Sequence, residues 1–215
     1  ALDCIVSIGD LVWLDFDGNG MQGMDEDGVE NATVNLYTCE NGVKGAAFID
    51  PNTSLPVSVL TDAQGNYLFE TLPAGEYWVE YDVSTSTLEN AADYVFTFVE
   101  EGNFEVDSDA DSNGETGCFT MMPGLDDMSY DAGVYQPVSI SGEVWVDFDQ
   151  DGIHDPEDVS VEGAKVSIAG SNNIGGSVPG SLMVPVGQPI PETMLFSGQD
   201  GSYDFFGLAP GNYRL

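Results

Sequence analysis

Residues Ile8-Gly-Asp-Leu-Val-Trp-Leu-Asp-Phe-Asp-Gly-Asn-Gly20 return as Ile140-Ser-Gly-Glu-Val-Trp-Val-Asp-Phe-Asp-Gln-Asp-Gly152. In each copy an apolar, Trp-containing run passes directly into an acidic loop. The likeness continues without a gap: Val29, Glu30, Ala32, Val34 and Leu36 fall on Val161, Glu162, Ala164, Val166 and Ile168. After four extra residues in the Gly/Ser/Pro-rich stretch 170–191, Gly65-Asn-Tyr67 falls on Gly201-Ser-Tyr203. Leu72, Gly75, Tyr77 and Val79 then fall on Leu208, Gly211, Tyr213 and Leu215. Self-similarity of this kind marks a repeat architecture. The chain therefore reads as a first module over 1–137, with its core at about 6–135, and a second over 138–215. Nothing in the second copy matches 80–135, so it is incomplete at its C-terminus. The expectation is a piece of a longer protein, or a module completed by strands of a neighbouring chain.

Both copies read as strands. Ala32, Val34 and Leu36 alternate with Thr33, Asn35 and Tyr37, and Tyr77, Val79 and Tyr81 alternate with Glu76, Trp78 and Glu80. Alternation of period two is the pattern of a half-buried strand. Val95–Val99 and Gly133–Tyr135 add shorter candidates, and Asp62-Ala-Gln-Gly65, Pro73-Ala-Gly75, Asp200-Gly201 and Pro210-Gly211 supply turns. No capped, periodic helix of about ten residues is present. Seven or so short strands at this spacing predict an all-β fold of tandem immunoglobulin-like (prealbumin-like) antiparallel β-sandwich modules.

Composition limits the function. The 215 residues carry 38 acidic side chains, three basic ones and one His, a formal net charge of −35, with 42% hydrophobic residues. The apolar fraction is too high for a disordered acidic tail. Nucleic acid and anionic membrane surfaces need clustered Lys and Arg, and no apolar run approaches the roughly 20 residues of a spanning helix. With one His and three cations, neither a nucleophile–base pair nor a phosphate clamp can be assembled, so no enzyme is expected. The partner this composition asks for is a cation, with a solvated, salt-tolerant acidic surface as the plainer alternative.

The acidic loops supply such a site. Asp15-Phe-Asp17-Gly-Asn19-Gly20-Met21, followed by Glu26, fits D-x-[DN]-x-[DN]-G-x5-E, a calcium loop. In that pattern oxygens at positions 1, 3 and 5 converge, Gly permits the turn, a backbone carbonyl serves at 7 and a carboxylate at 12 closes the shell. The ligands are then Asp15, Asp17, Asn19, the Met21 carbonyl and Glu26. In the second copy they are Asp147, Asp149, Asp151, the Ile153 carbonyl and Asp158, with Glu157 as a substitute for the last. An all-oxygen shell selects Ca2+ over softer metals. Without flanking helices the ion is structural, and an acidic solvated turn is the alternative at each loop. A further cluster, Asp107-Ser-Asp109-Ala-Asp111, cannot close a loop of its own, since Thr120 stands at position 12 counted from Asp109. It either shares an ion with Asp10, Asp126, Asp127 or Asp131, or is solvated.

Ile8-Gly-Asp-Leu-Val-Trp, the Asp15–Glu26 loop, Gly65-Asn-Tyr67, Leu72-Pro-Ala-Gly-Glu-Tyr77, Asp107-Ser-Asp109 and Asp131-Ala-Gly-Val-Tyr135 resemble the B-type repeat of the Sdr serine–aspartate-repeat bacterial surface proteins. The resemblance implies a calcium-rigidified sandwich used in tandem in a secreted or cell-surface stalk, fibre or adhesin. It implies further calcium ligation by Asp10, Asp107, Asp109 and Asp131. Gly142 stands where Asp10 stands, which weakens any such site in the second copy. Related sandwiches carry a Lys–Asn isopeptide lock, but Lys44 reads as part of a Gly-rich turn, so the first module is expected to lack a strand Lys. The partners implied are neighbouring modules of the same chain and a homo-oligomer or fibre, with no membrane insertion and an unidentified surface or receptor.

Of Cys4, Cys39 and Cys118, the pair Cys39–Cys118 is preferred, because one ends a strand and the other begins one; three inert thiols are the alternative. Trp13 and Trp145 read as equivalent core anchors and His154 as a solvated loop residue. Tyr77, Trp78 and Tyr81 suggest a second function, a glycan- or protein-ligand-binding face, against simple core packing.

Overall fold

The computed structural model describes residues 5–99, 105–172 and 194–215. They form two compact units that divide between Gln136 and Pro137. Cys4 and most of the Gly/Ser/Pro-rich stretch lie outside the described residues.

Among the described residues the first unit holds ten strands. They are β1 (Ile5–Leu14), β2 (Thr33–Glu40), β3 (Val43–Ala47), β4 (Ser58–Leu60), β5 (Asn66–Pro73), β6 (Gly75–Asp82), β7 (Val95–Phe96), β8 (Phe119–Met121), β9 (Asp126–Asp127) and β10 (Ala132–Tyr135). One sheet runs β5-β1-β10-β7 with β9 also on β1, and the other runs β3-β2-β6-β8 with β4 also on β2. The sheets share one core. Val6, Ile8 and Val12 of β1 and Phe69 and Leu72 of β5 meet Val34 and Leu36 of β2 and Tyr77, Val79 and Tyr81 of β6. The period-two alternation in β2 and β6 is what turns one face of each strand inward. Among the described residues the helical content is two 3-10 turns, Val83–Thr85 and Ala91–Asp93.

β1 organises the acidic end of this unit. It pairs antiparallel with β5, parallel with β9 at Ser7 and Ile8, and parallel with β10 from Val12 to Leu14. Between the two parallel pairings the neighbouring chain leaves the ladder, and the Leu11 N–H donates to Asp131 Oδ1 at 3.0 Å instead. Asp15 begins the loop after β1, and its N–H bonds the Val134 carbonyl of β10 at 2.8 Å. The acidic loop is thus anchored beside the strand that leads out of the unit.

The second unit repeats the first in detail. Its strands are β11 (Val138–Glu143), β12 (Trp145–Val146), β13 (Val159–Ser160), β14 (Lys165–Ser167), β15 (Ala169–Asn172), β16 (Met194–Phe196), β17 (Ser202–Leu208) and β18 (Gly211–Arg214). Ile140 faces Phe205 as Ile8 faces Phe69, Gly170 faces Tyr213 as Thr38 faces Tyr77, and a bulge interrupts both the β1·β5 and β11·β17 ladders at the same place. Two further devices recur. Thr61 Oγ1 accepts from the Ala32 N–H and donates to the Val29 carbonyl, and Ser197 Oγ does the same with Ala164 and Val161. The Tyr77 hydroxyl donates to the Pro73 carbonyl as that of Tyr213 does to Ala209. The core here is smaller: Ile168, Phe205 and Leu208 are buried, with Ile140, Val166, Leu195, Tyr203 and Tyr213 packed on them.

Cys39 and Cys118 form a disulfide with Cα atoms 5.7 Å apart, joining the end of β2 to the residue before β8. Lys44 departs from the expectation, since it lies within β3, a strand. The turn is Asn41-Gly42, both left-handed, while Gly45 is a strand residue whose absent Cβ would meet Thr38 Oγ1 at 2.4 Å. Lys44 Nζ donates to Glu80, and to Glu115 Oε1 at 2.6 Å, and lies 4.1 Å from the Tyr37 ring centroid. Burial alone would lower the Lys44 pKa, but the bonds to Glu115 and Glu80 outweigh it and hold it above the ordinary value. Glu80 and Glu115 face each other in a β-bridge, so the ammonium screens a like-charge pair.

Candidate metal centre

The first loop is drawn inward by β1. Asp15 follows the buried Val12 and Trp13 and is itself 0% exposed. Its Oδ2 accepts from the Gly20 N–H at 2.9 Å and from the Thr97 hydroxyl, and its Oδ1 from the Asn19 N–H at 3.1 Å. Gly20 has φ +77°, the left-handed turn that this position requires. Asp17 accepts from the Asn19 backbone and side-chain amides, and Asn19 Oδ1 accepts from the Met21 N–H at 2.6 Å. Glu26 folds back, taking the Phe16 N–H at 2.9 Å and the Gly23 N–H at 2.7 Å.

These bonds gather Asp15, Asp17 and Glu26 so that one carboxylate oxygen of each lies within 4.8 Å of the others. Burial, partly offset by the Thr97 hydroxyl and the Gly20 and Asn19 amides, raises the Asp15 pKa; Asp17 adds to the rise. The Glu26 pKa is also raised, first by burial and then by Asp15 and Asp17, against the Gly23 and Phe16 amides. The chief causes of both shifts include no Lys or Arg side chain. Three carboxylates held together at that cost, with oxygen as the sole donor type, fit a hard divalent cation. Thr97, 0% exposed and on the segment after β7, is a participant that sequence reading missed. A hydroxyl inside an apolar run carries no mark of a partner 82 residues away.

The second loop repeats the geometry at the surface. Asp147, Asp149 and Asp151 form the equivalent cluster. Gly152 N–H donates to Asp147 Oδ2 at 2.9 Å, as Gly20 does to Asp15, and Gly152 has φ +81°. Asp158 is outside that cluster but takes Phe148 N–H at 3.1 Å and Asp155 N–H at 3.2 Å, the position-12 role of Glu26. Glu157, the substitute, donates its N–H to Asp155. The half-buried Asp147 has a lowered pKa, chiefly through the Gly152 amide. Trp145 is half-buried rather than a full anchor, and His154 is an exposed loop residue, as expected. It stacks on Trp145 at 5.0 Å between centroids, with Nδ1 2.9 Å from Glu143 Oε2.

A second acidic centre, expected from the Asp107–Asp111 cluster and by resemblance, lies in the gap between β9 and β10. It is more loosely gathered than the two loops, since among the described residues no three of its carboxylates bring oxygens within 4.8 Å of one another. Asp131 is 2% exposed, and its carboxyl is pushed up to about 8 by burial, then by Asp10, Asp109 and Asp107, against the Leu11 amide. Asp10 is raised to about 6 by burial and by Asp127. Asp131 N–H donates to Asp109 Oδ2, and Asp109 N–H to the Asp131 carbonyl, both at 2.9 Å. Asp107, 5% exposed, pairs in a bridge with Met21, so the segment 106–109 touches both centres. Asp126 stays exposed on β9. In the second unit a Cβ at Gly142 would lie 2.4 Å from the Tyr203 hydroxyl, so a side chain at the Asp10 position there would have to displace the Tyr203 ring. Tyr77 and Tyr81 are each 2% exposed, which removes two of the three aromatics from the suggested ligand face.

Among the described residues no helix is long and apolar enough to cross a membrane. Residues 6–134 match the model of the SdrD B-like domain. The chain is 32% identical over 213 residues to the serine-aspartate repeat-containing protein D of Staphylococcus aureus strain Newman, covering 98% of this chain and 13% of that one. It is 28% identical over 214 residues to the serine-aspartate repeat-containing protein F of Staphylococcus epidermidis, covering 97% and 10%. The chain thus spans about an eighth or less of these relatives. Among solved structures, a streptococcal ancillary pilin gives a TM-score of 0.41 at 17% identity, over 99% of this chain and 53% of that one. The minor pilin GBS52 of Streptococcus agalactiae gives 0.33 at 14%, over 96% and 80%. The family match and the residues that carry it place the chain in the SdrD B-like domain family, an extracellular, structural repeat of bacterial surface proteins and not an enzyme family.

Proposed function

We propose that the chain is a calcium-rigidified repeat of a surface stalk, fibre or adhesin. The observation that carries this is the burial of Asp15 and Asp131 among other carboxylates at the two ends of one stretch of β1. Carboxylates so placed repel, and that repulsion is relieved by protonation or by a cation. With Ca2+ bound, Asp15, Asp17, Asn19, the Met21 carbonyl and Glu26 would hold one ion, and Asp10, Asp107, Asp109 and Asp131 would hold others. The second loop would hold an ion through Asp147, Asp149, Asp151, the Ile153 carbonyl and Asp158.

The chain's own residues do the mechanical work. The loop 15–26 is fastened to β10 through Asp15, and the segment 106–109 fastens that loop to the turn before β10. An ion held by Asp10, Asp107, Asp109 and Asp131 would tie together parts of the chain about a hundred residues apart, and one in the loop 15–26 would stiffen a loop already fastened to β10, so both act against local opening. The ion-binding role supports tandem assembly with neighbouring modules and a part in adhesion. Nothing in the aromatic surface favours the ligand-face alternative.

Thermal unfolding of chain 1–215 tests the reading, with millimolar Ca2+, with excess chelator, and with Mg2+ at matched ionic strength. A large Ca2+-specific rise in Tm is expected. An equal response to Mg2+ or to plain salt would leave an acidic, salt-tolerant surface in its place.

A further inference from the structure

The buried tyrosines Tyr67 and Tyr81 come from different sheets, β5 and β6, and meet edge to face with centroids 5.8 Å apart. Both hydroxyls reach the same acceptor. Tyr67 donates to the Tyr130 carbonyl at 2.8 Å and Tyr81 at 2.9 Å, and the two hydroxyl oxygens are 3.0 Å apart. A carbonyl has two lone pairs, so both are taken. The other end of the same peptide group is also fixed, because the Asp131 N–H donates to Asp109 Oδ2 at 2.9 Å. Tyr67 moreover lies directly across the β1·β5 ladder from Asp10.

We propose that the Tyr67 and Tyr81 hydroxyls are positioning groups for the Asp10–Asp109–Asp131 centre, holding the Tyr130–Asp131 peptide so that its N–H orients the Asp109 carboxylate and its Cα sets the direction of Asp131. The proposal rests on the cation reading above. Phe at either position would fill the same volume and spare the cost of burying a hydroxyl, so packing alone does not account for tyrosine. A carbonyl that accepts two hydrogen bonds also polarises its own N–H, which strengthens the bond to Asp109. Tyr130 is itself held, its ring stacked on Phe119 at 3.9 Å. The acidic centre is thus built against Tyr67, Tyr81 and Tyr130, none of which supplies a carboxylate to it.

The test uses chain 1–215 with Tyr67→Phe, Tyr81→Phe and the double substitution. The single variants leave one hydroxyl on the Tyr130 carbonyl and serve if the double variant fails to fold. Amide exchange by NMR in chelator reads Asp131 and Leu11 against Val34 and Leu36 of β2, and against Asn19 and Gly20 of the first loop. The double variant should speed exchange at Asp131 and Leu11 roughly 10-fold, the equivalent of one lost bond, with the β2 and first-loop amides unmoved. In Ca2+ titrations it should weaken the ion class that Asp131→Asn also weakens, and leave the class that Asp15→Asn removes. Faster exchange throughout β2 and the loop would reduce the tyrosines to core packing, and unchanged exchange at Asp131 would remove the clamp altogether. A wild-type chain that takes up no Ca2+ overturns the cation reading and this proposal with it, and the exchange pattern in chelator tells that case from a failed clamp.

Discussion

Replacing Asp131 by Asn should make the ion-free chain more stable near pH 8 and less responsive to calcium. In the ion-free fold the Asp131 carboxyl titrates near 8, against an unperturbed 3.8, mainly because it is buried and then because Asp10, Asp109 and Asp107 surround it. A carboxyl whose folded pKa lies above its unfolded value contributes stability that is fully present below about 3.8 and is lost as the pH rises through about 8. Four pK units at ~1.4 kcal/mol each put the cost at pH 8 on the order of 5 kcal/mol, shared with its acidic neighbours. The amide side chain keeps an oxygen for the Leu11 N–H and removes the charge. Urea unfolding in chelator, read by fluorescence in a Trp145→Phe background so that Trp13 and Trp78 report the first unit, measures the difference. Wild type should lose stability from pH 4 to pH 8 in chelator, and the Asp131→Asn substitution should flatten that loss. With Ca2+ the wild-type slope should turn upward, because binding displaces the proton. An ion-free wild type that gains stability across this range, or an Asp131→Asn chain weaker than wild type at pH 8, would refute the reasoning.

Three further outcomes follow from the geometry. Replacing both Cys39 and Cys118 by Ser should cost ~4–5 kcal/mol in urea unfolding, because the bond closes a loop across 79 residues of sequence separation. Thr61→Val leaves the Ala32 N–H and the Val29 carbonyl unpaired inside the core and should cost ~1–3 kcal/mol in the same assay. Lys44→Met exposes Glu80 to Glu115 and should cost only ~1 kcal/mol, since the site is partly solvated, with the loss shrinking in high salt.

The repeat exposed most of the fold before any coordinate was known. Residues such as Ile8 and Ile140 must face equivalent partners if both copies fold alike, but matched spacing does not say which partners, and strand order and register emerge only from the ladders. The candidate residues of the first loop were legible because Asp15, Asp17, Asn19 and Glu26 are close in sequence and their spacing is dictated by the turn at Gly20. Lys44 was misread because Gly45 looked like turn punctuation, whereas it is a strand residue pressed against Thr38. The Thr97 contact and the Tyr67–Tyr81 clamp were invisible for another reason. They join segments that only the sandwich brings together, and a buried Tyr or Thr leaves no periodic trace of its hydroxyl's partner. Even Asp10 and Asp131, named as partners of the Asp107–Asp111 cluster and again by resemblance, needed the gap between β9 and β10 to explain why they meet.

The most direct measurement of calcium rigidification is the force at which the first unit opens. Chain 1–215, tethered at its two ends and pulled singly with the disulfide reduced, would be compared in Ca2+, in Mg2+ and in chelator. The account predicts that Ca2+ alone raises the unfolding force of this unit and that Asp15→Asn with Asp131→Asn abolishes the increase. An unfolding force that is the same in Ca2+ and in chelator would contradict it.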